Sequence, residues 1–323
     1  MLLLIAGSAS RAFSLPKTYY VALTGSDTNT GVSIDQPLAK ISTAVAKLAP
    51  GDTIYVRGGT YVLTSQIGLS SSGIDSLRRS CLFAYPGERV LLDFSTIGTP
   101  RVSGSADGIR LSGRYWHLKG LDIKGAPHNG IQINGGWYNL IEQCSVFENR
   151  NSGLQISNLG SHNSIINCDS YFNRDSTNAS NYDGNADGFS PKLDNGTYNY
   201  FYGCRSWQNS DDGWDGYVRF AAPVAGKDTM VTIIENCWCF ANGYLKSGKA
   251  GTGNGNGFKM GGGDKDAATQ SISNADSLRH RMILINCLSF DNKVKGFDQN
   301  NNRGSMTLLN CTAYRNGSYN FAI

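Results

Sequence analysis

Seven segments of this chain open on Gly followed by a bulky apolar residue: Gly108-Ile109, Gly130-Ile131, Gly153-Leu154, Gly188-Phe189, Gly213-Trp214, Gly257-Phe258 and Gly296-Phe297. A Cys follows six of them, in IEQCSVF, IINCDSYF, YGCRSW, ENCWCF, INCLSF and LNCTAY. From Gly130, Gly153, Gly188 and Gly296 that Cys lies 14, 15, 16 and 15 residues on; from Gly213 and Gly257 it lies 24 and 30 on. From Cys144, Cys204 and Cys287 the next Gly is 9 residues away, and from Cys168 and Cys237 it is 20. A basic unit of 22 to 24 residues with a few loop insertions results. Such a unit holds two or three short strands of period 2 and fits one coil of a parallel β-helix. One coil cannot bury its inner face alone. Coils stacked about 4.8 Å apart build one continuous core. Ile131 and Ile133 are expected to point inward with Gln132 outward between them, and Gly and Asn to supply left-handed corners. A β-sandwich, the rival all-β fold, does not predict so constant a spacing.

Composition agrees. Gly makes up 39 of 323 residues, charged residues 17% and hydrophobic residues 40%. This excludes a disordered highly charged chain and a collagen. No apolar run approaches the ~18 residues of a membrane-spanning helix. The net charge of +4 is compatible with an acidic substrate and too weak to argue for nucleic acid. The six repeated cysteines, Cys144, Cys168, Cys204, Cys237, Cys287 and Cys311, share one column. Zinc or disulfides are one reading. An inward ladder of small thiols is the better one, since no CxxC pair exists.

The ends differ from the repeat. MLLLIAGSASRA reads as the clipped end of an export signal, or as a ragged start over residues 1–16. Residues 17–323 then form a single domain. PLAKISTAVAKLAPGD predicts an amphipathic helix with Ile41, Ala44, Val45 and Leu48 on one face, capping the open first coil. At the other end Asn320 stands in the Gly slot and Phe321 in the inward slot, so another coil is expected to follow or something else to cap the stack.

Aligning the coils on Gly gives two columns that carry chemistry. The residue before Gly runs Asp107, Asn129, Ser152, Asp187, Asp212, Asn256, Lys295; the residue two after runs Arg110, Gln132, Gln155, Ser190, Asp215, Lys259, Asp298. The second column should face solvent. Asp187 and Asp212 fall on adjacent coils, Asp215 and Lys259 likewise, and Asp211 adjoins them in DDGWDG. Carboxylates this close repel one another unless a cation neutralises them or protons are taken up. A hard cation with oxygen ligands, most simply Ca²⁺, resolves the conflict. A lone Asp-Gly is an ordinary turn pair; four aspartates in register are not. DDGWDG lacks the terminal Glu of an EF-hand loop. Lys259, in GNGFKMGGG, is either a surface counter-charge or a general base, and the second role requires the neighbouring carboxylates to be offset. The insertions flank these coils and carry Lys246, Lys249 and Lys265, with Lys192 and Arg219 nearby, which suits an acidic polymer. Trp207, Tyr217 and Tyr244 are candidates for stacking on sugars or for packing.

At NADGF, DDGWD and NGFKMGGG the sequence resembles the polysaccharide lyases of family 9, right-handed parallel β-helix enzymes that include pectate lyases. The resemblance runs from about Tyr19 to the C-terminus. It implies that Asp187, Asp211, Asp212 and Asp215 hold Ca²⁺ and that Lys259 is the catalytic base. It implies β-elimination in an acidic plant-type polyuronide such as pectate, with Lys192 or Arg219 pairing with uronate carboxylates. A monomer that is secreted, periplasmic or on the cell surface fits that substrate. Three alternatives stand beside it. One is a rhamnogalacturonan lyase of the same family. Another is a β-helix hydrolase, which would use paired carboxylates and give Lys259 no role. The last is a non-catalytic carbohydrate-binding solenoid.

Overall fold

The computed structural model describes residues 15–98, 106–176, 181–218, 230–262 and 279–323. The segment read as an export signal, Arg219 and Lys265 lie outside the described residues. Three parallel sheets of ten, nine and nine strands run the length of a β-helix. Each coil contributes one strand to each sheet, and each strand pairs with its counterpart one coil on. The Gly-apolar segments form the third sheet, including Ile131–Asn134, Leu154–Ser157, Phe189–Pro191, Trp214–Asp215, Phe258–Lys259 and Lys295–Asp298. Among the described residues no helix is long and apolar enough to cross a membrane.

Alternation builds the core as the pattern predicts. Ile131 and Ile133 are fully buried. Phe189, Trp214, Phe258, Phe297 and Phe321 stack inward at ring-centroid separations of 4.7, 4.8, 5.0 and 5.1 Å. The capping helix is short, Ile41–Lys47. Leu38 is drawn into a bridge with Val21 before it, and Leu48 is already extended after it. Pro50 then disfavours helical backbone at Ala49. Ile41 and Ala44 are buried, Val45 and Leu48 pack at the edge of the core, and the helix covers Thr18–Val21, Thr53–Val56 and Ile67–Leu69.

The cysteines are free thiols in an inward ladder. From Cys168 on, the members of the column donate to carbonyls of their own and the preceding coil: Cys168 to Ile166 and Ile141, Cys204 to Tyr202 and Ile165, Cys287 to Ile285 and Ile234. Burial pushes the Cys204 thiol well above its ordinary range, so it stays protonated and inert.

Gly and Asn do supply left-handed corners, but not at the repeated Gly. None of the seven has a left-handed φ. That corner falls just before each Cys, at Gln143, Asn167, Gly203, Asn236, Asn286 and Asn310. The repeated Gly is required by close approach. A Cβ on Gly153 would lie 2.0 Å from Ser170 Oγ and 2.9 Å from the Gly188 carbonyl. Other asparagines also serve differently: Asn149, Asn173, Asn209, Asn242 and Asn292 form a buried ladder in which each Nδ2 donates to the Oδ1 of the next, 2.8–3.0 Å away, ending on Asn316 at 2.9 Å.

One buried imidazole ties its coil to the preceding one. His280 is bonded on both sides, Nδ1 to the Gly216 carbonyl at 2.8 Å and Nε2 to Thr232 Oγ1 at 2.7 Å. A carbonyl only accepts, so Nδ1 carries the proton and Nε2 accepts from the Thr232 hydroxyl. Burial pulls the pKa of His280 down to about 4.

Two predictions follow from these packing facts. Gly153→Ala should destabilise the protein by about 1–3 kcal/mol in a denaturant titration. Gly68→Ala should be nearly neutral, because nothing lies within 4 Å of its added Cβ. For His280 the folded pKa is depressed, so the neutral form is favoured on folding. Its contribution is present above pH 6.5 and lost as pH falls toward 4. The stability gap between wild type and His280→Gln should therefore narrow by about 3 kcal/mol from pH 7 to pH 4; a constant gap would mean that His280 titrates alike in both states.

Candidate active site

The stacking register brings the predicted residues together. In the third sheet Phe189 pairs with Trp214, Asp215 with Lys259, and Lys259 with Asp298. The Gly188 N–H donates to the Asp212 carbonyl, so the residues before Gly also align coil on coil. Carboxylate oxygens of Asp187, Asp212 and Asp215 lie within 4.8 Å of one another, and all three residues are buried. Asp211 is buried beside them but is not part of that set. Its Oδ1 accepts the Asn254 N–H at 2.6 Å, which ties it to the insertion after Cys237.

Two ammonium groups enter this cluster. Lys259 Nζ is 3.1 Å from Asp212 Oδ2 and 3.3 Å from Asp215 Oδ1. Lys192 Nζ is 2.5 Å from Asp187 Oδ2 and 3.1 Å from Asp215 Oδ2. Sequence reasoning placed Lys192 nearby, yet not between two of the aspartates. It lies five residues past Asp187, in neither of the two columns. Arg219 has no place in this geometry, being outside the described residues.

Polar neighbours complete the site. Asp187 Oδ2 accepts from Ser190 Oγ at 2.9 Å and from Ser152 Oγ at 3.2 Å, and its Oδ1 accepts the Asp212 N–H at 3.2 Å. Asp212 Oδ1 accepts the Asn256 N–H at 2.8 Å. Asp215 Oδ1 accepts the Tyr217 N–H at 3.0 Å. The Tyr217 ring lies 5.8 Å from Lys259 Nζ.

The electrostatics follow. Burial alone would pull both lysines down, but Asp187 and Asp215 hold Lys192 up, and Asp215 and Asp212 hold Lys259 well above its ordinary range. Burial works against Asp215 ionising, yet Lys259 and Lys192 bring its carboxyl down to about 2. Burial, reinforced by Asp187 and Asp215, pushes Asp212 up to about 6. Burial and the charge of Asp212 also raise Asp211. Four carboxylates face two ammoniums, so full ionisation would leave two negative charges, an excess that the raised Asp187, Asp211 and Asp212 reflect. Asp212 Oδ2 is moreover a buried acceptor with no aligned hydrogen-bond donor, Lys259 lying close but off the bonding direction. An all-oxygen donor set with that residual charge fits a divalent cation.

The second column points away from the core without being open to solvent. Gln132, Gln155, Ser190, Asp215, Lys259 and Asp298 are all buried. They are covered by their own polar contacts, such as Asn129 Nδ2 to Gln132 Oε1 at 2.6 Å and Lys295 Nζ to Asp298 Oδ1 at 2.9 Å. Trp207 is a packing residue on the second sheet, stacked 4.4 Å from Tyr171 and 5.6 Å from Phe240. Lys246 is paired with Glu148, and Lys249 is exposed.

Comparison with known proteins places this geometry in a family. Residues 19–323 match the family model described as Pel9A-like, right handed beta helix region. Pectate lyase L of Dickeya dadantii (strain 3937) is 38% identical over 316 residues, which are 95% of this chain and 68% of that protein. The crystal structure of pectate lyase Pel9A superposes with a TM-score of 0.80 at 35% identity, covering 94% of this chain and 70% of that one. A rhamnogalacturonan lyase superposes with a TM-score of 0.76 at 28% identity, covering 91% of this chain and 73% of that one. Built as a three-sheet coil with buried aspartates, the chain belongs to the Pel9A-like right-handed β-helix family and is a polysaccharide lyase.

Proposed function

We propose that this lyase acts on pectate or polygalacturonate, depends on Ca²⁺ and uses Lys259 as its base. The observation that carries the reading is the buried Asp187–Asp212–Asp215 triad with Lys259 Nζ 3.1–3.3 Å from two of its members. Asp187, Asp212 and Asp215 would hold the cation, with Asp211 beside them. Bound Ca²⁺ supplies positive charge that draws electron density from a substrate carboxylate and acidifies the adjacent C5 proton. Carboxylates committed to a cation no longer hold Lys259 as an ammonium, and its neutral amine then takes the C5 proton. The C5–H electrons form the C4=C5 double bond. The C4–O bond breaks, and the departing oxygen takes a proton from water. Lys192, freed from Asp187 and Asp215, would pair with a uronate carboxylate, and Arg219 is proposed for a second one. Residues 17–323 would act as one catalytic unit, working outside the cell, where such polymers are found.

The likeness to a rhamnogalacturonan lyase gives a second substrate to test. Hydrolysis is the weaker reading because it leaves Lys259 without a task. The test is incubation with polygalacturonate and with rhamnogalacturonan, each with and without Ca²⁺, read by the ultraviolet absorbance of the unsaturated product. Absorbance should rise on polygalacturonate, stop with EGTA and return with added Ca²⁺. Lys259→Ala should lose about 10²–10⁴-fold in rate with its far-UV circular dichroism unchanged. New reducing ends without absorbance would identify a hydrolase, and full activity in chelator would remove the metal from the mechanism.

A further inference from the structure

The strands that carry Asp215 and Lys259 are the shortest of the third sheet. Trp214–Asp215 and Phe258–Lys259 have two residues each, while their neighbours Phe189–Pro191 and Lys295–Asp298 have three and four. Backbone pairing is thus thinnest where position matters most. Just past these two residues one more backbone bond forms on each strand, from the Gly216 N–H and from the Met260 N–H, and beyond it side chains take over the bonding.

His280 Nδ1–H donates to the Gly216 carbonyl at 2.8 Å, and the Gly216 N–H donates to the Lys259 carbonyl at 2.9 Å. Asn302 closes the other side. Its Nδ2 donates to the Met260 carbonyl at 2.7 Å and to the His280 carbonyl at 2.6 Å, and its Oδ1 accepts the His280 N–H at 3.2 Å. Both side chains are buried. There is no slack around them: a Cβ on Gly216 would lie 3.2 Å from His280 Nδ1, and one on Gly261 would lie 2.5 Å from Asn302.

We infer that His280 and Asn302 are positioning residues, a buried bracket that stands in for missing ladder bonds and sets the Asp215 carboxylate against the Lys259 amine. His280 touches no reacting atom. It holds the backbone between Asp215 and Tyr217, whose N–H bonds Asp215 Oδ1. The charged group that faces it is Asp215, and its other neighbours, Thr232 and Asn302, are neutral. The inference rests on the reading of Lys259 and Asp215 as working residues of the lyase.

Two replacements of His280 separate positioning from bulk stability. His280→Asn keeps an amide N–H near the place of Nδ1 and loses the Thr232 contact. His280→Gln reaches toward Thr232 and gives up Gly216. Both should lower the melting temperature. Only the Gln variant should lose kcat on polygalacturonate, on the order of 10- to 100-fold with KM nearly unchanged, as expected for small misplacement of reacting groups. Asn302→Ser, which frees the Met260 carbonyl, should show the same split. Hydrogen exchange of the peptide spanning 214–218 should be faster in the Gln variant than in the Asn variant; this arm is independent of turnover. Equal kcat and equal exchange in the two His280 variants, or losses that only track melting temperature, would overturn the bracket. A wild-type protein without lyase activity would instead count against the proposed function, and the exchange comparison would still decide the bracket.

Discussion

In-register hydrogen bonding between parallel coils is the constraint on which everything else in this protein depends. It turns residues 25 or more positions apart, such as Asp187 and Asp212, into neighbours about one strand spacing apart. Because side chains alternate along each strand, the same register that stacks Phe189 on Trp214 and Phe258 inside the core stacks Asp215 on Lys259 outside it. The apolar column supplies the burial that stabilises the stack. The polar column next to it is carried along and can be placed with little freedom to relax.

That rigidity explains how the fold tolerates a cluster it should resist. Buried like charges favour protonation or separation. Separation is barred by the ladder, so the protein balances the carboxylates with Lys192 and Lys259 and with N–H donors from Asp212, Asn256 and Tyr217. The balance is incomplete. Asp215 receives both lysines and ionises readily, while Asp212 keeps an oxygen without an aligned donor and resists ionisation. Neighbouring groups of one chemical type, four residues or fewer apart in sequence, are thus driven in opposite directions by their surroundings. A site in that condition favours the arrival of positive charge.

Much of this was legible in the sequence. The Gly and Cys spacings specified a coil, and the coil specified the columns in which Asp187, Asp212, Asp215 and Lys259 meet. The reading erred where a position had two explanations. Left-handed corners do fall on Gly and Asn, yet the Gly that recurs at each coil is not one of them: close approach requires it, Ser170, Ser206 and Ser289 coming to about 2 Å of where a Cβ would sit at Gly153, Gly188 and Gly257. The outward column suggested solvent exposure, because alternation tells which way a side chain points and says nothing of the polar side chains packed around it. Lys192 and His280 were harder still. Lys192 lies beyond the columns, and its length carries the ammonium back to Asp187. His280 begins a strand of another sheet, and its imidazole reaches a carbonyl 64 residues earlier, in the preceding coil. No repeat announces either contact.

The short strands give these two kinds of residue a common logic. The insertions flank the coils of Asp187, Asp212 and Lys259, and the third-sheet strands are shortest there, at Trp214–Asp215 and Phe258–Lys259. The carboxylates themselves then act as anchors for the inserted chain: Asp211 takes the Asn254 N–H, Asp212 takes the Asn256 N–H, and Asp183 takes the Thr252 N–H, while Lys293 Nζ holds the carbonyls of Gly251 and Gly253. Asp212 therefore does two things at once, Oδ1 fixing the loop and Oδ2 facing the Lys259 ammonium. Replacing such a residue removes a charge and an anchor together. Loss of function at Asp211 or Asp212 consequently reports on chemistry only when the loop through Asn254 and Asn256 is shown to hold its place.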